Sequence, residues 1–271
     1  MSSLEAWNDM TTQSENNAQY QTDKNLSIRQ RLHQQYSTNS QGLMPWLREQ
    51  ITIRPGDKIL ELGCGNGSLW EGYLTQISST VQLTLSDYSQ GMVDQVTRQF
   101  DQDSRVNCLK IDAQSIPFED GTFDIVIANH TLHTVPNIAL AIREIRRVLK
   151  PHGTFYTSAN GNHGMEYYLH TAIQSIQPSN TSFSDQLSFN LQNGVPQLET
   201  AFRQVARRDY PDSLRITKTA DLIAWIESTR TPDDGIDDAL LKQLATYFGA
   251  LRQRDGAIMI PKQVGLLIAN N

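Results

Sequence analysis

A five-residue glycine turn, Gly63-Cys64-Gly65-Asn66-Gly67, follows an apolar run with one acid, Lys58-Ile59-Leu60-Glu61-Leu62, and leads into a helix-like stretch. Only glycine lets the backbone approach a ligand with no Cβ in the way, and a strand-to-helix turn presents free N–H groups to that ligand. The pattern predicts a strand that ends on a binding turn for a small cofactor. Because several nucleotide-binding folds share such a turn, neighbouring features must decide among them.

Apolar runs of strand length recur at Lys58 to Leu62, Val81 to Leu85, Arg105 to Ile111, Phe123 to Ala128 and Thr154 to Ser158, each separated by enough chain for a crossover. This is a βαβ series. The clearest helix runs from Asn137 to Lys150, where Ile138, Ala141, Ile142, Ile145, Val148 and Leu149 form one stripe, Asn137 caps the start and Pro151 stops the helix. Right-handed crossovers then require a doubly wound, Rossmann-like parallel sheet with helices on both faces.

Elsewhere the chain is less regular. Residues 1 to about 25 are polar and form an arm that is either loose or docked, and the stretch from Leu26 to Ile51 predicts two short helices, broken near Gly42 and Pro45. From 161 to about 201, Asn, Ser, Gln and Gly alternate with Tyr167, Tyr168, Phe183 and Phe189, and this segment is expected as a cap insertion over the ligand site. Regularity returns at 202–271 with helices near 221–228 and 237–251 and a strand at 257–269. The expected organisation is an N-terminal arm and helices at 1–52, a cofactor-binding core at 53–160, the cap at 161–201 and the rest of the core sheet at 202–271.

With 29 acidic against 23 basic residues, the net charge of −6 would repel a phosphate backbone, so nucleic acid is a disfavoured partner. Two cysteines, Cys64 and Cys108, cannot make a disulfide framework, which fits a reducing, cytoplasmic setting. No signal-like segment follows Met1 and no apolar run approaches the ~20 residues needed to span a bilayer, so a soluble protein is expected.

Asp87 ends the second run and comes beside the glycine turn, where its carboxylate either holds both hydroxyls of a ribose or caps the next helix. Asp112-Ala113 follows the third run, and Pro117-Phe118-Glu119-Asp120-Gly121-Thr122-Phe123-Asp124-Ile125-Val126 leads into the fourth. Together with Glu61 to Gly67, Asp112 to Phe118 and Glu144-Ile145-Arg146-Arg147-Val148-Leu149-Lys150-Pro151-His152-Gly153, these stretches resemble the class I S-adenosylmethionine-dependent methyltransferases. The resemblance is to the branch similar to ubiquinone and menaquinone biosynthesis methyltransferases, and it is strongest over residues 56 to 160.

The resemblance implies S-adenosylmethionine as cofactor and a small-molecule methyl acceptor as partner. Gly63 and Gly65 would pass close to the methionine portion, with Glu61 meeting its ammonium or ordering the turn. Asp87 would hold the ribose, Tyr88 and Met92 would flank the adenine, and Asp112 with the Ala113 N–H would bond its edge. Asn129 and His130 would lie near the methionine end and the transferable methyl. The implied fold is a seven-stranded, mostly parallel sheet whose last strand is antiparallel, with Arg208 to Leu214 and Lys262 to Ala269 as the closing hairpin. His152 departs from the family's Pro-Gly-Gly turn.

Methyl transfer from a sulfonium needs alignment and exclusion of water more than any fixed catalytic side chain. His133, or else His130, would serve as base for a hydroxyl or carbon acid; alternatively both pack within their loop. The histidines have no companion ligands at metal-binding spacing, so no metal is expected. Arg143, Arg146, Arg147 and Lys150 read as a solvated helix face, and Arg203, Arg207 and Arg208 as strand edges. The cap aromatics either line an acceptor pocket or anchor the cap. Two rivals share the glycine turn: an NAD-dependent oxidoreductase, for which Asp112-Ala113 has no required place, and a non-catalytic S-adenosylmethionine-binding protein.

Overall fold

Strand β1, Lys58–Leu62, is buried at every position after its first and pairs in parallel on both edges, with Ile59 opposite Leu83 on one side and Ile125 on the other. A run that is apolar on both faces belongs in the middle of a covered parallel sheet. The computed structural model describes residues 23–184, 187–231 and 235–271. The expected polar arm therefore lies almost wholly outside the described residues.

The remaining strands are β2 Gln82–Asp87, β3 Val106–Lys110, β4 Phe123–Ile127, β5 Leu149–Asn160, β6 Gln204–Ile216 and β7 Ile258–Asn270. They form one seven-stranded sheet in the order β3-β2-β1-β4-β5-β7-β6. β1 to β5 are parallel to one another, and β7 runs antiparallel to β5, Phe155 facing Ala269 and Asn160 facing Val264. The expected α/β sheet with an antiparallel last strand is thus observed.

The helices are α1 Asp23–Tyr36, α2 Leu43–Gln50, α3 Gln90–Phe100, α4 Ile138–Val148, α5 Met165–Ile176, α6 Gly194–Leu198, α7 Thr219–Ser228 and α8 Asp238–Asp255. On α4 the predicted stripe is buried at Ala141, Ile142, Ile145 and Val148, and Asn137 Oδ1 accepts from the Leu140 N–H at 3.0 Å as the predicted cap. The helix nevertheless stops before Lys150, and β5 begins at Leu149 rather than at Thr154. Proline disfavours helical backbone in the residue before it, so Lys150 turns extended. Residues 150–153 then bulge between the pairs Phe123–Leu149 and Ile125–Thr154.

That bulge accommodates His152. A Cβ at Gly153 would stand 2.8 Å from Leu149 Cδ2 and 3.0 Å from the Asp124 carbonyl, whereas His152 is exposed. Only the second glycine of the family's turn is sterically required here.

The helix expected after the glycine turn is absent. Trp70, Tyr73 and Gln76 each bond back three residues, to Gly67, Trp70 and Tyr73, and end in a 3₁₀ turn at Leu74–Gln76. Gly67 and Gly72, with φ of +72° and +67°, interrupt any longer ladder.

The chain divides into two compact units. One gathers residues 43–162, 187–210 and 264–271 and holds the sheet core, in which Leu60, Val126, Ile145 and Phe155 are fully buried on one face and Ile59, Leu85, Ile127 and Trp70 lie on the other. The second gathers the described residues of 1–42, 163–186 and 211–263, and packs α1, α5, α7 and α8 around Leu169, Ile173, Leu222, Leu240, Leu244 and Phe248. Inside it Lys262 Nζ meets the buried Asp212 carboxylate at 2.7 Å, and Ser37 Oγ donates to the same group at 2.7 Å. The segment expected as a cap contributes α5 to this second unit and Phe189 and Leu198 to the sheet core.

Candidate functional site

The carboxyl ends of β1 to β4 lie in the sheet unit and lead into the segments that carry the candidate cofactor and catalytic residues. Gly63, Gly65 and Gly67 all take positive φ, +69°, +54° and +72°. They are glycine for different reasons. A Cβ at Gly63 would collide with the Thr131 hydroxyl and one at Gly67 would stand 2.7 Å from the Phe100 ring, but a Cβ at Gly65 would meet nothing within 4 Å. Gly65 is therefore the point of the turn whose backbone faces open space.

Asp87 links the glycine turn to the residues that precede α3, where Ser89 stands at the N-cap. Its Oδ2 accepts from the Gly65 N–H at 3.0 Å and its Oδ1 from the Ser89 N–H at 2.8 Å, leading the chain into α3. Burial pushes its pKa up, against these backbone bonds. Each oxygen keeps acceptor capacity for a further donor.

Glu61 lies beneath the turn, 2% exposed, and Trp70 Nε1 donates to its Oε2 at 2.6 Å. Burial raises its pKa to about 7. The Trp70 bond and the nearby Asn129 amide oppose the shift, and the Asp87 charge adds to it. Asn129 is near enough for its dipole to favour ionised Glu61, yet neither its Nδ2 nor its Oδ1 completes a hydrogen bond although both atoms are buried. A buried amide without partners is costly and suits a position that a polar ligand completes.

At the end of β3, Asp112 Oδ1 accepts from the Gln114 N–H at 2.8 Å in a tight turn, and Ala113 is buried beside it. Tyr88 is 47% exposed, its ring 5.7 Å from Lys110 Nζ, and Met92 is half-buried on α3. After β4, His130 sits at φ +49° with its N–H bonded to the Ser158 carbonyl at 3.0 Å. A non-glycine residue in left-handed backbone is uncommon and concentrates at functional sites. His133 is half-buried, and burial lowers its pKa.

Three members of the basic clusters form ion pairs within the fold. Arg147 bonds Glu144 at 2.7 Å and Asp120 at 2.9 Å, Lys150 pairs with Asp124 at 2.7 Å, and Arg207 pairs with Asp209 at 2.6 Å. Among the described residues no three His, Cys, Asp or Glu side chains are grouped to hold a metal ion, and no helix is long and apolar enough to cross a membrane. Sequence reasoning missed Trp70 as the partner of Glu61 and Gln114 as the partner of Asp112; both pairings depend on how local turns aim side chains.

The strand order, the glycine turn closing β1 and the acids after β2 and β3 define a doubly wound α/β domain with a ligand crevice at the carboxyl ends of its strands. Residues 60–157 match the family described as methyltransferase domain. The Bacillus subtilis (strain 168) protein YrhH is 36% identical over 121 residues, 43% of this chain and 64% of its own length. Demethylmenaquinone methyltransferase of Staphylococcus aureus (strain MRSA252) is 34% identical over 105 residues, 39% of this chain and 44% of its own. The chain thus spans 64% and 44% of these two relatives. In fold, the YcgJ protein of Bacillus subtilis superposes with a TM-score of 0.56 at 18% identity, covering 84% of this chain and 98% of that one. Over residues 60–157 the chain is thus similar to the methyltransferase domain family.

Proposed function

We propose that this protein transfers the methyl group of S-adenosylmethionine to a small-molecule acceptor by in-line displacement. The observation that carries the reading is the convergence of the open Gly65 backbone, the Asp87 carboxylate bonded to it, and the Asp112-Ala113 turn at neighbouring strand ends. When bound, the cofactor supplies an electrophilic methyl on a sulfonium.

The chain's own groups fit that ligand. Asp87 accepts from the ribose hydroxyls with its spare lone pairs, while Asp112 and the Ala113 N–H take the adenine edge between Tyr88 and Met92. The unpartnered Asn129 amide offers a donor and an acceptor to the amino-acid end. Glu61 orders the turn through Trp70 and adds negative potential beneath a cationic ligand when it is ionised. His133, kept neutral by burial, takes the acceptor's proton, and His130 helps to shape the same loop.

Calorimetry with S-adenosylhomocysteine tests the cofactor site, and transfer of labelled methyl to demethylmenaquinone and to a panel of hydroxyl, amine and carbon-acid compounds tests the activity. Binding with turnover of one acceptor is the expected result. Absence of binding overturns the reading; binding without transfer to any acceptor would favour a cofactor-responsive protein with no catalytic role.

A further inference from the structure

We infer that Gln114 is a positioning residue that aims the Asp112 carboxylate at the 6-amino group of the cofactor's adenine while latched to the start of α4. This inference rests on the cofactor reading above. Gln114 Nε2 donates to Asp112 Oδ1 at 3.1 Å and to Oδ2 at 3.3 Å, and its Oε1 accepts from the Asn137 N–H at 3.1 Å. A backbone N–H can only donate, so Oε1 must face Asn137 and the amide's donor end must face Asp112. Asn137 in turn caps α4 through the Leu140 N–H.

The other end of the same loop is fastened to the same helix. Glu144 Oε2 accepts from the Ile116 N–H at 3.0 Å, and Arg147 donates to the Ile116 and Phe118 carbonyls at 2.9 and 2.7 Å. The loop after β3 is therefore tied to the start of α4 at Gln114, within Asp112's turn, and to the body of α4 at Ile116 and Phe118 beyond it, and Gln114 is the tie that touches the carboxylate. Oδ1 already accepts two bonds from Gln114, whereas Oδ2 carries one long bond and keeps room for a donor. An amino group satisfies that oxygen. A 6-oxo group presents an acceptor to it and is disfavoured.

Holding the loop and aiming the carboxylate make different predictions. If Gln114 only held the loop, losing it would weaken amino and oxo ligands alike; if it aims Asp112, losing it erodes the preference between them. The experiment is calorimetry with S-adenosylhomocysteine and its 6-oxo (inosine) analogue on the parent protein, Gln114→Met, Gln114→Glu and Asp112→Asn, with thermal melts to verify folding. The parent should prefer the amino ligand by about tenfold or more, a preference that the glutamine changes should cut at least about threefold. A preference kept intact in folded Gln114→Met overturns the inference, whether or not both affinities fall. A preference kept in Asp112→Asn also overturns it but leaves the cofactor reading standing, whereas a parent that binds neither ligand overturns both.

Discussion

The indole N–H of Trp70 donates to Oε2 of Glu61 across 2.6 Å, at a carboxyl that is only 2% exposed. The pair ties the turns after β1 to the strand itself, and it places a titratable group with a pKa near neutrality under the glycine turn.

Because folding raises the Glu61 pKa from 4.5 to about 7, the native state binds the proton more tightly than the unfolded chain. The stability this supplies is fully present below pH 4.5 and is lost as pH rises through about 7. Glu61→Gln keeps an acceptor for Trp70 and removes the titration. Melts between pH 5 and 8 should therefore show the parent falling relative to the variant, by on the order of 3 kcal/mol over the whole transition. Parallel curves would contradict the burial of this acid.

Gly63→Ala and Gly65→Ala should fail differently. The first drives a methyl into Thr131 at a left-handed position and should destabilise the fold by about 2–4 kcal/mol. The second meets no protein atom, so it should cost about 1–2 kcal/mol of backbone strain while obstructing the ligand's approach. Thermal melts paired with S-adenosylhomocysteine titration separate the two, and equal loss of affinity per unit of lost stability would contradict the distinction.

Arg147→Ala should lower stability by about 2 kcal/mol, because it strands the Ile116 and Phe118 carbonyls and leaves Glu144 unbalanced. The side chain is partly exposed, which limits the effect. With Glu144→Gln the losses should be markedly less than additive in a double-mutant cycle, since the two residues share one network.

His133→Ala should reduce kcat by about 10²–10⁴ with little change in S-adenosylhomocysteine affinity if the imidazole takes the acceptor's proton. Burial lowers the His133 pKa, so the acid limb of the parent's kcat profile should fall below pH 6.5. A variant with the parent's kcat and profile would assign His133 to packing.

The sheet was legible because β1 and β4 are apolar on both faces and because α4 carries a full stripe with its own cap. What local pattern does not encode is direction and long-range pairing. Gly72 converts the expected helix after the turn into 3₁₀ turns, and Pro151 moves the start of β5 five residues earlier than its apolar run suggests. Glu61 was readable as an acid at a strand end, but its partner Trp70 depends on that altered turn. Asp112 was readable too, while Gln114 looked like any polar loop residue. The second unit was hardest: its core joins α1, α5, α7 and α8 from three separate stretches of chain, so no continuous segment displays it as a unit.

Strand β7 is made after β6 yet lies between β5 and β6 in the sheet. During translation, then, the backbone groups of Phe155 to Asn160 that later pair with Val264 to Ala269 have no native neighbour until more than a hundred further residues have emerged. Such an open edge invites mispairing with other nascent chains. A chaperone that covers this edge on the ribosome would help most in the interval just before Val264 to Ala269 emerge.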